Sequence, residues 1–330
     1  MAEHPETRAL GHTGLEVTAL GLGLAALGRP AYINLGHERD FPGGRSVEAM
    51  RAATFTVLDA ARAAGIRYFD AARSYGRAEE FLSAWLAERE IDPDAVTIGT
   101  KWGYTYVADW RTDVEVHEVK DHGLATLQRQ IGESRALLGR HLDLLQVHSA
   151  TLDSGVLSDD EVLDELVRLR QDGVVRAIGL SLSGARQAET LRVAADLERN
   201  GLHVFDTVQA TFNVLERSAE PALAEAAGRG MGVLVKEALA NGRLVRGEAA
   251  ERLRPIARRH GTGVDAVALA YVMSRPWATL TLLGSATAQQ LRENLAASHL
   301  VLDEAERSAL DAMAEPPAAY WERRSALPWI

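Results

Sequence analysis

An aspartate, a tyrosine, a lysine and a histidine, Asp70, Tyr75, Lys101 and His148, stand 5, 26 and 47 residues apart, and three of them directly end short apolar or β-branched runs. Together they can deliver a proton to a carbonyl oxygen as hydride arrives at the carbon. A phenol is a weak acid, with an ordinary pKa of about 10, but an ammonium beside it favours the phenolate and makes the hydroxyl a better donor near neutral pH. Lys101 supplies that charge to Tyr75, and Asp70 holds and partly neutralises Lys101. His148 orients the carbonyl oxygen and stabilises the charge developing on it. Taken singly, each has an ordinary explanation: Asp70 as a helix cap, Tyr75 as a half-buried aromatic, Lys101 as a solvated charge, His148 as a core histidine. Their arrival at successive strand ends is what argues for chemistry.

Such convergence needs parallel strands whose C-terminal ends share one rim. The chain alternates short β-branched or leucine-rich runs with longer Ala, Leu, Glu and Arg segments of helical spacing, the pattern of parallel β/α units. Candidate strands lie at 17–21, 66–69, 96–99, 142–147, 175–180, 206–209, 232–235 and 280–283. Helical stretches include 46–64, 123–138, 158–171, 184–199 and 219–228, several stopping at Gly65, Gly139, Gly173 or Gly201. No linker divides the chain, so residues 1–330 read as one α/β domain, a (β/α)8 TIM barrel. Residues 7–16 read as a β-hairpin closing the barrel floor. Segments 24–46, 102–120 and 314–330 read as loops or tail near the active site.

Composition narrows the function. There is no cysteine, which removes thiol catalysis, thiolate metal sites and disulfides. A formal charge of −10 without a basic stripe argues against nucleic acid. The opening MAEHPETRAL has no apolar core, and no window approaches a membrane-spanning run, so a cytoplasmic protein is expected. No His-x-His occurs, so no metal is expected. GLGLAALG at Gly21 has the wrong glycine spacing for a dinucleotide fingerprint, and GLSLSG at Gly179 misses the nucleophile elbow. The expected partner is a small-molecule carbonyl or sugar substrate; monomer and homo-oligomer both stay open.

The ordered set LGHTGLEVTALGLG, GIRYFDAARSYG, GTKWG and LLQVHSA resembles the aldo-keto reductase superfamily over nearly the whole chain, in a branch with bacterial members and channel β-subunits. The resemblance implies a (β/α)8 barrel and reversible NAD(P)H-dependent reduction of an aldehyde or ketone, with NADP(H) preferred and NAD(H) possible. It implies that Ser181 and Gln209 hold the nicotinamide carboxamide. In LLGSATAQQLRENL it implies an adenosine-phosphate site of Gly284, Ser285, Thr287, Gln290, Glu293 and Asn294; a Gly-Ser turn opening a helix offers N–H groups to phosphate. VLVKEALANGRL places Lys236, Glu237, Ala238 and Leu239 where many relatives have a stacking aromatic, then Ser and Pro. Lys236 and Glu237 are expected to act as a pair beside the nicotinamide. Arg243 or Arg246 is available to a 2′-phosphate. Trp102, Tyr320, Trp321 and Trp329 are expected around the substrate. Two alternatives are an NAD-dependent sugar (aldose) dehydrogenase and a non-enzymatic nucleotide-sensing regulatory subunit; relatives of the latter kind carry Asn at the position of His148.

Overall fold

The structure, a computed structural model, describes residues 6–330; residues 1–5 of the expected domain lie outside it. Eight parallel strands close a barrel in chain order. They are β1 (Leu20–Gly23), β2 (Tyr68–Asp70), β3 (Thr97–Trp102), β4 (Leu142–Ala150), β5 (Ala177–Leu182), β6 (Thr207–Thr211), β7 (Gly232–Lys236) and β8 (Leu280–Leu283). The last pairs with the first through Thr281↔Leu20 to Leu283↔Leu22. The expected (β/α)8 barrel is borne out. Strands β3 to β6 run two or three residues further than expected, so His148 lies inside β4 rather than beyond it.

Helices cover the outside: α1 (Val47–Ala63), α2 (Ala78–Glu88), α3 (Leu124–Leu138), α4 (Asp160–Gln171), α5 (Gln187–Ala195), α6 (Glu220–Gly228), α7 (Glu248–His260), α8 (Val264–Met273), α9 (Ala288–Leu295), α10 (Glu304–Asp311) and α11 (Pro317–Ser325). Four of the starts, those of α1, α4, α9 and α10, are capped by a side chain. Ser46 Oγ accepts from Ala49 N at 3.2 Å, and Thr287 Oγ1 accepts from Gln290 N at 3.1 Å. Met50, Phe55, Leu58 and Ala61 form the buried stripe that packs α1 on the barrel. The helix expected over 184–199 stops at Ala195. Glu198–Arg199 and Leu202–His203 instead pair as a hairpin across Asn200 and Gly201, whose φ values of 55° and 75° fit the left-handed turn that Asn-Gly favours.

The floor is closed as expected. Thr7–Ala9 pairs antiparallel with Glu16–Thr18, and Leu10, Leu15 and Val17 enter the barrel to pack on Tyr68, Leu144, Leu234 and Leu280. Gly11 makes this docking possible: its φ is +58°, and a Cβ there would lie 2.3 Å from Gly232 N. With the bottom plugged by leucines, the opposite rim is where polar groups collect.

Candidate active site

Asp70 ends β2, and its carboxylate is held from four sides. Lys101 of β3 forms an ion pair with it, and Gln209, Gln146 and Tyr68 donate at 3.0, 3.2 and 3.2 Å. Tyr68 reaches it because Gly99 leaves room; a Cβ on Gly99 would lie 2.2 Å from the Tyr68 hydroxyl oxygen. Lys101 Nζ also donates to Ala71 O at 3.0 Å and to the Tyr75 hydroxyl oxygen at 3.3 Å. Because the ammonium occupies a lone pair, the Tyr75 proton is left to point elsewhere. Asp70, Lys101 and Tyr75 therefore form one connected group, as the motif spacing leads one to expect.

His148 faces this group from β4, its ring 5.4 Å from that of Tyr75 and at 83° to it. The β4–β5 pairing shifts register between Val147 and Ala150, and Ser149 takes φ 52°; this irregularity turns the histidine into the mouth. Ser74 Oγ lies 3.3 Å from His148 Nδ1, while His122 Nε2 donates to the His148 carbonyl at 2.9 Å. Burial, then Lys101 and Arg29, hold the His148 pKa well below 6.5, so the ring is neutral. His122 is likewise lowered by burial, to about 4.

The Tyr75 hydroxyl departs from expectation in its electrostatics. Burial and the Asp70 carboxylate push its pKa above 10, and the cation chiefly opposing them is Arg29. Arg29, from the loop after β1, lies 5.1 Å from the Tyr75 ring centroid, 5.1 Å from that of Tyr32 and 4.6 Å from that of Trp329. It donates to Glu118 at 2.8 Å and to Ser74 O at 3.1 Å.

From this centre a cleft of about 480 Å³ runs over the rim. Ser181 and Gln209 line it from β5 and β6, Lys236 lines it as the last residue of β7, and Glu237, Ala238 and Leu239 line it just beyond that strand. Thr211 Oγ1 accepts from Lys236 Nζ at 3.0 Å, and Lys236 stands 3.8 Å from Glu237. Glu237, at φ 55°, is gripped by Arg324 of α11 through bonds of 2.7 and 3.2 Å. Burial raises the Glu237 carboxyl, but Arg324 and Lys236 outweigh it and the pKa falls to about 2; burial lowers Lys236 to about 8 against the pull of Glu237. The two charges do form a pair, with an unforeseen third member.

At the far end Gly284, Ser285, Gln290, Glu293 and Asn294 line the cleft, together with Asp40, Arg246 and Asp265. Asn294 donates to Ser285 Oγ at 2.9 Å; Gln290 accepts from Ala286 N at 2.8 Å and donates to Asp40 at 2.7 Å. Thr287 caps α9 without lining the cleft. Arg243 is turned away, paired with Glu315 and set over the Tyr320 ring. Three aromatic expectations need correction: Trp102, Tyr320 and Trp321 are buried in the packed core and do not line the cleft. Lys101 points into the barrel, so its neighbour on the strand points out to the helices. Its wall is formed instead by Tyr32, Tyr104 and Trp329, of which only Trp329 was foreseen.

Residues 19–315 match the model of the aldo/keto reductase family. The chain is 25% identical to Protein tas of Escherichia coli strain K12 over 89% of its own length and 93% of that protein's. It is 26% identical to norsolorinic acid reductase A of Aspergillus parasiticus over 80% and 72%, and 25% identical to pyridoxal 4-dehydrogenase of Microbacterium luteolum over 88% and 92%. Among solved structures, aldo-keto reductase AKR11C1 from Bacillus halodurans superposes with a TM-score of 0.69 at 22% identity, covering 95% of this chain and 97% of that one. The family model spans all eight barrel strands and every one of the four residues at the mouth. The chain belongs to the aldo/keto reductase family, and is an oxidoreductase of carbonyl compounds by that membership.

Proposed function

We propose that the protein reduces an aldehyde or ketone to an alcohol with NAD(P)H, reversibly, at the mouth formed by Asp70, Tyr75, Lys101 and His148. The observation that carries this reading is the Lys101 ammonium, 3.3 Å from the Tyr75 hydroxyl oxygen and paired with Asp70. The hydroxyl proton is thereby aimed at the cleft, where neutral His148 stands ready to donate to the same carbonyl oxygen. As the oxygen gains charge, Tyr75 gives up its proton; Lys101 and Arg29 stabilise the phenolate that remains. In the reverse direction the phenolate takes the alcohol proton back.

A nicotinamide dinucleotide fits the donor set of the cleft. Ser181 and Gln209 offer hydroxyl and amide groups beside the acid, Gly284 leaves open space at the start of α9, and the buried Asn241 Oδ1 of the cleft wall has no partner among the described residues. When bound, the nicotinamide supplies the hydride. Arg246 favours NADPH by a small margin, because Arg243 is engaged with Glu315 and Asp40 opposes a further phosphate nearby. That same Asp40 favours the alternative of an NAD-dependent sugar dehydrogenase, which tighter binding of NADH would support.

Tyr75→Phe tests the assignment. Carbonyl reduction should fall by about 10²–10⁴-fold, while the dissociation constant of NADPH, followed by fluorescence, stays within about threefold. A loss of activity below tenfold would remove Tyr75 from the role of acid.

A further inference from the structure

Four cations stand at the reacting end of the cleft or directly behind it: Arg29, Lys101, Lys236 and Arg324. Three carboxylates answer them. Arg29 has Glu118, Lys101 has Asp70, and Arg324 takes Glu237 through two bonds. Lys236 is left to share Glu237 at 3.8 Å, its only direct hydrogen bond among the described residues being the neutral Thr211 hydroxyl. It is thus the least compensated cation of the group. It is also close enough to the chemistry for its charge to act on His148, and for Lys101 and Asp70 to act on it.

The reduced nicotinamide ring is neutral and the oxidised ring carries a positive charge. Placed on the rim beside Ser181 and Gln209, the oxidised ring brings a fifth positive charge to a site with three negative ones. A guanidinium cannot relieve this by losing a proton, whereas an ammonium can. We propose that Lys236 couples the oxidation state of the bound nicotinamide to a proton: it stays protonated beside NAD(P)H and deprotonates when NAD(P)+ binds. The inference rests on the nicotinamide reading of the cleft and adds to it a linked proton and the residue that carries it.

Lys236 is suited to the task because burial has already brought its pKa to about 8. Its surroundings do not duplicate it. His148 and His122 are held below the neutral range, Glu237 titrates near 2, and Tyr75 is raised by burial. Arg324 of α11 and Arg29 of the β1 loop stay charged throughout. The nucleotide phosphates act on Lys236 alike in both redox forms, so they cancel in a ratio of affinities.

The test measures dissociation constants of NADP+ and NADPH from pH 6 to 9 and, by calorimetry in two buffers of different ionisation enthalpy, the protons released on binding. NADP+ should release about one proton per site at pH 7 and NADPH much less; the ratio Kd(NADP+)/Kd(NADPH) should fall by up to about tenfold per pH unit on approaching pH 8, then level off. Lys236→Met should give a low, pH-independent ratio. Lys236→Arg, which cannot deprotonate in this range, should give a high and equally flat one. Glu237→Gln should move the inflection to lower pH. If Lys236→Met does not fold, the proton count of the unaltered protein and the Arg variant still decide. Equal proton release by both nucleotides with a flat ratio would overturn this inference and leave the nicotinamide site standing. Failure of either nucleotide to bind the unaltered protein would overturn both.

Discussion

At the residue scale, the acid strength of Tyr75 is set by opposed charges at short range. Burial and Asp70 raise the phenol, and Arg29, stacked among Tyr32, Tyr75 and Trp329, lowers it. A raised pKa means that the proton is retained to higher pH, so reduction should not decline merely because pH passes the ordinary tyrosine value of about 10. Arg29→Gln removes the opposing cation. It should cut the rate of carbonyl reduction by about tenfold, leave NADPH affinity within about twofold, and slow alcohol oxidation still more, since that direction begins from the phenolate. Arg29→Lys should restore part of the rate. Stopped-flow single turnovers in both directions check this, and equal loss in both would mean that Arg29 serves packing alone.

Among elements, the contact to examine is that of α11 with the end of β7. Arg324 on Glu237 and Asn213 between the Glu237 carbonyl and the Tyr320 hydroxyl fasten this helix over the rim. The Glu237 pKa is depressed from 4.5 to about 2, so its stabilising effect is complete above pH 4.5 and is lost as pH falls through 2. Glu237→Gln should cost about 3 kcal/mol at pH 7, and the gap in urea midpoint between the two proteins should narrow steadily below pH 4.5. An unchanged gap down to pH 2.5 would assign the stability to packing of Tyr320 and Trp321. These elements also mark what could be read in the sequence. Alternation and glycine stops located the strands, and the strand ends delivered Asp70, Lys101 and His148 because side-chain chemistry and local period coincide there. Arg29 with Tyr75, and Arg324 with Glu237, leave no such trace: they meet across loops with no period to connect them. Trp102 was legible in principle, since the strand that turns Lys101 inward turns its neighbour outward. For Tyr320 and Trp321, aromatic character alone gave size without direction.

On the scale of the whole molecule, four separate segments converge over the cleft. Tyr32 exchanges backbone hydrogen bonds of 3.1 and 3.2 Å with Ile330; Leu35 N donates to Asn241 O at 3.1 Å; and Asp40 accepts from Gln290. The β1 loop thereby touches the tail, the loop after β7 and the start of α9, and carries Asp40 to the end of the cleft lined by Ser285 and Asn294. Asp40→Asn should tighten NADPH about threefold or more while leaving NADH nearly unchanged, and Arg246→Gln should do the reverse to NADPH. Fluorescence titration of both nucleotides reads the two effects. Parallel changes in NADH and NADPH would show that these residues close the loop without selecting the nucleotide.

The pairing of β8 with β1 has a bearing on biosynthesis. Leu20–Gly23 waits for Leu280–Leu283, so a nascent chain has an open sheet with two unpaired edges until Leu280–Leu283 has left the ribosome. The four residues of the mouth are translated by position 148, yet Gln209 reaches Asp70 only from β6, and the leucine plug of the hairpin packs on Leu280 of the final strand. Held clear of the ribosome by a long flexible linker, a chain ending at residue 275 should therefore remain protease-sensitive and chaperone-bound, whereas one ending at 315, with Leu280–Leu283 free to close the barrel, should resist proteolysis. Pulse proteolysis of stalled ribosome complexes distinguishes the two, and resistance at 275 would mean that seven strands hold together before the ring is shut.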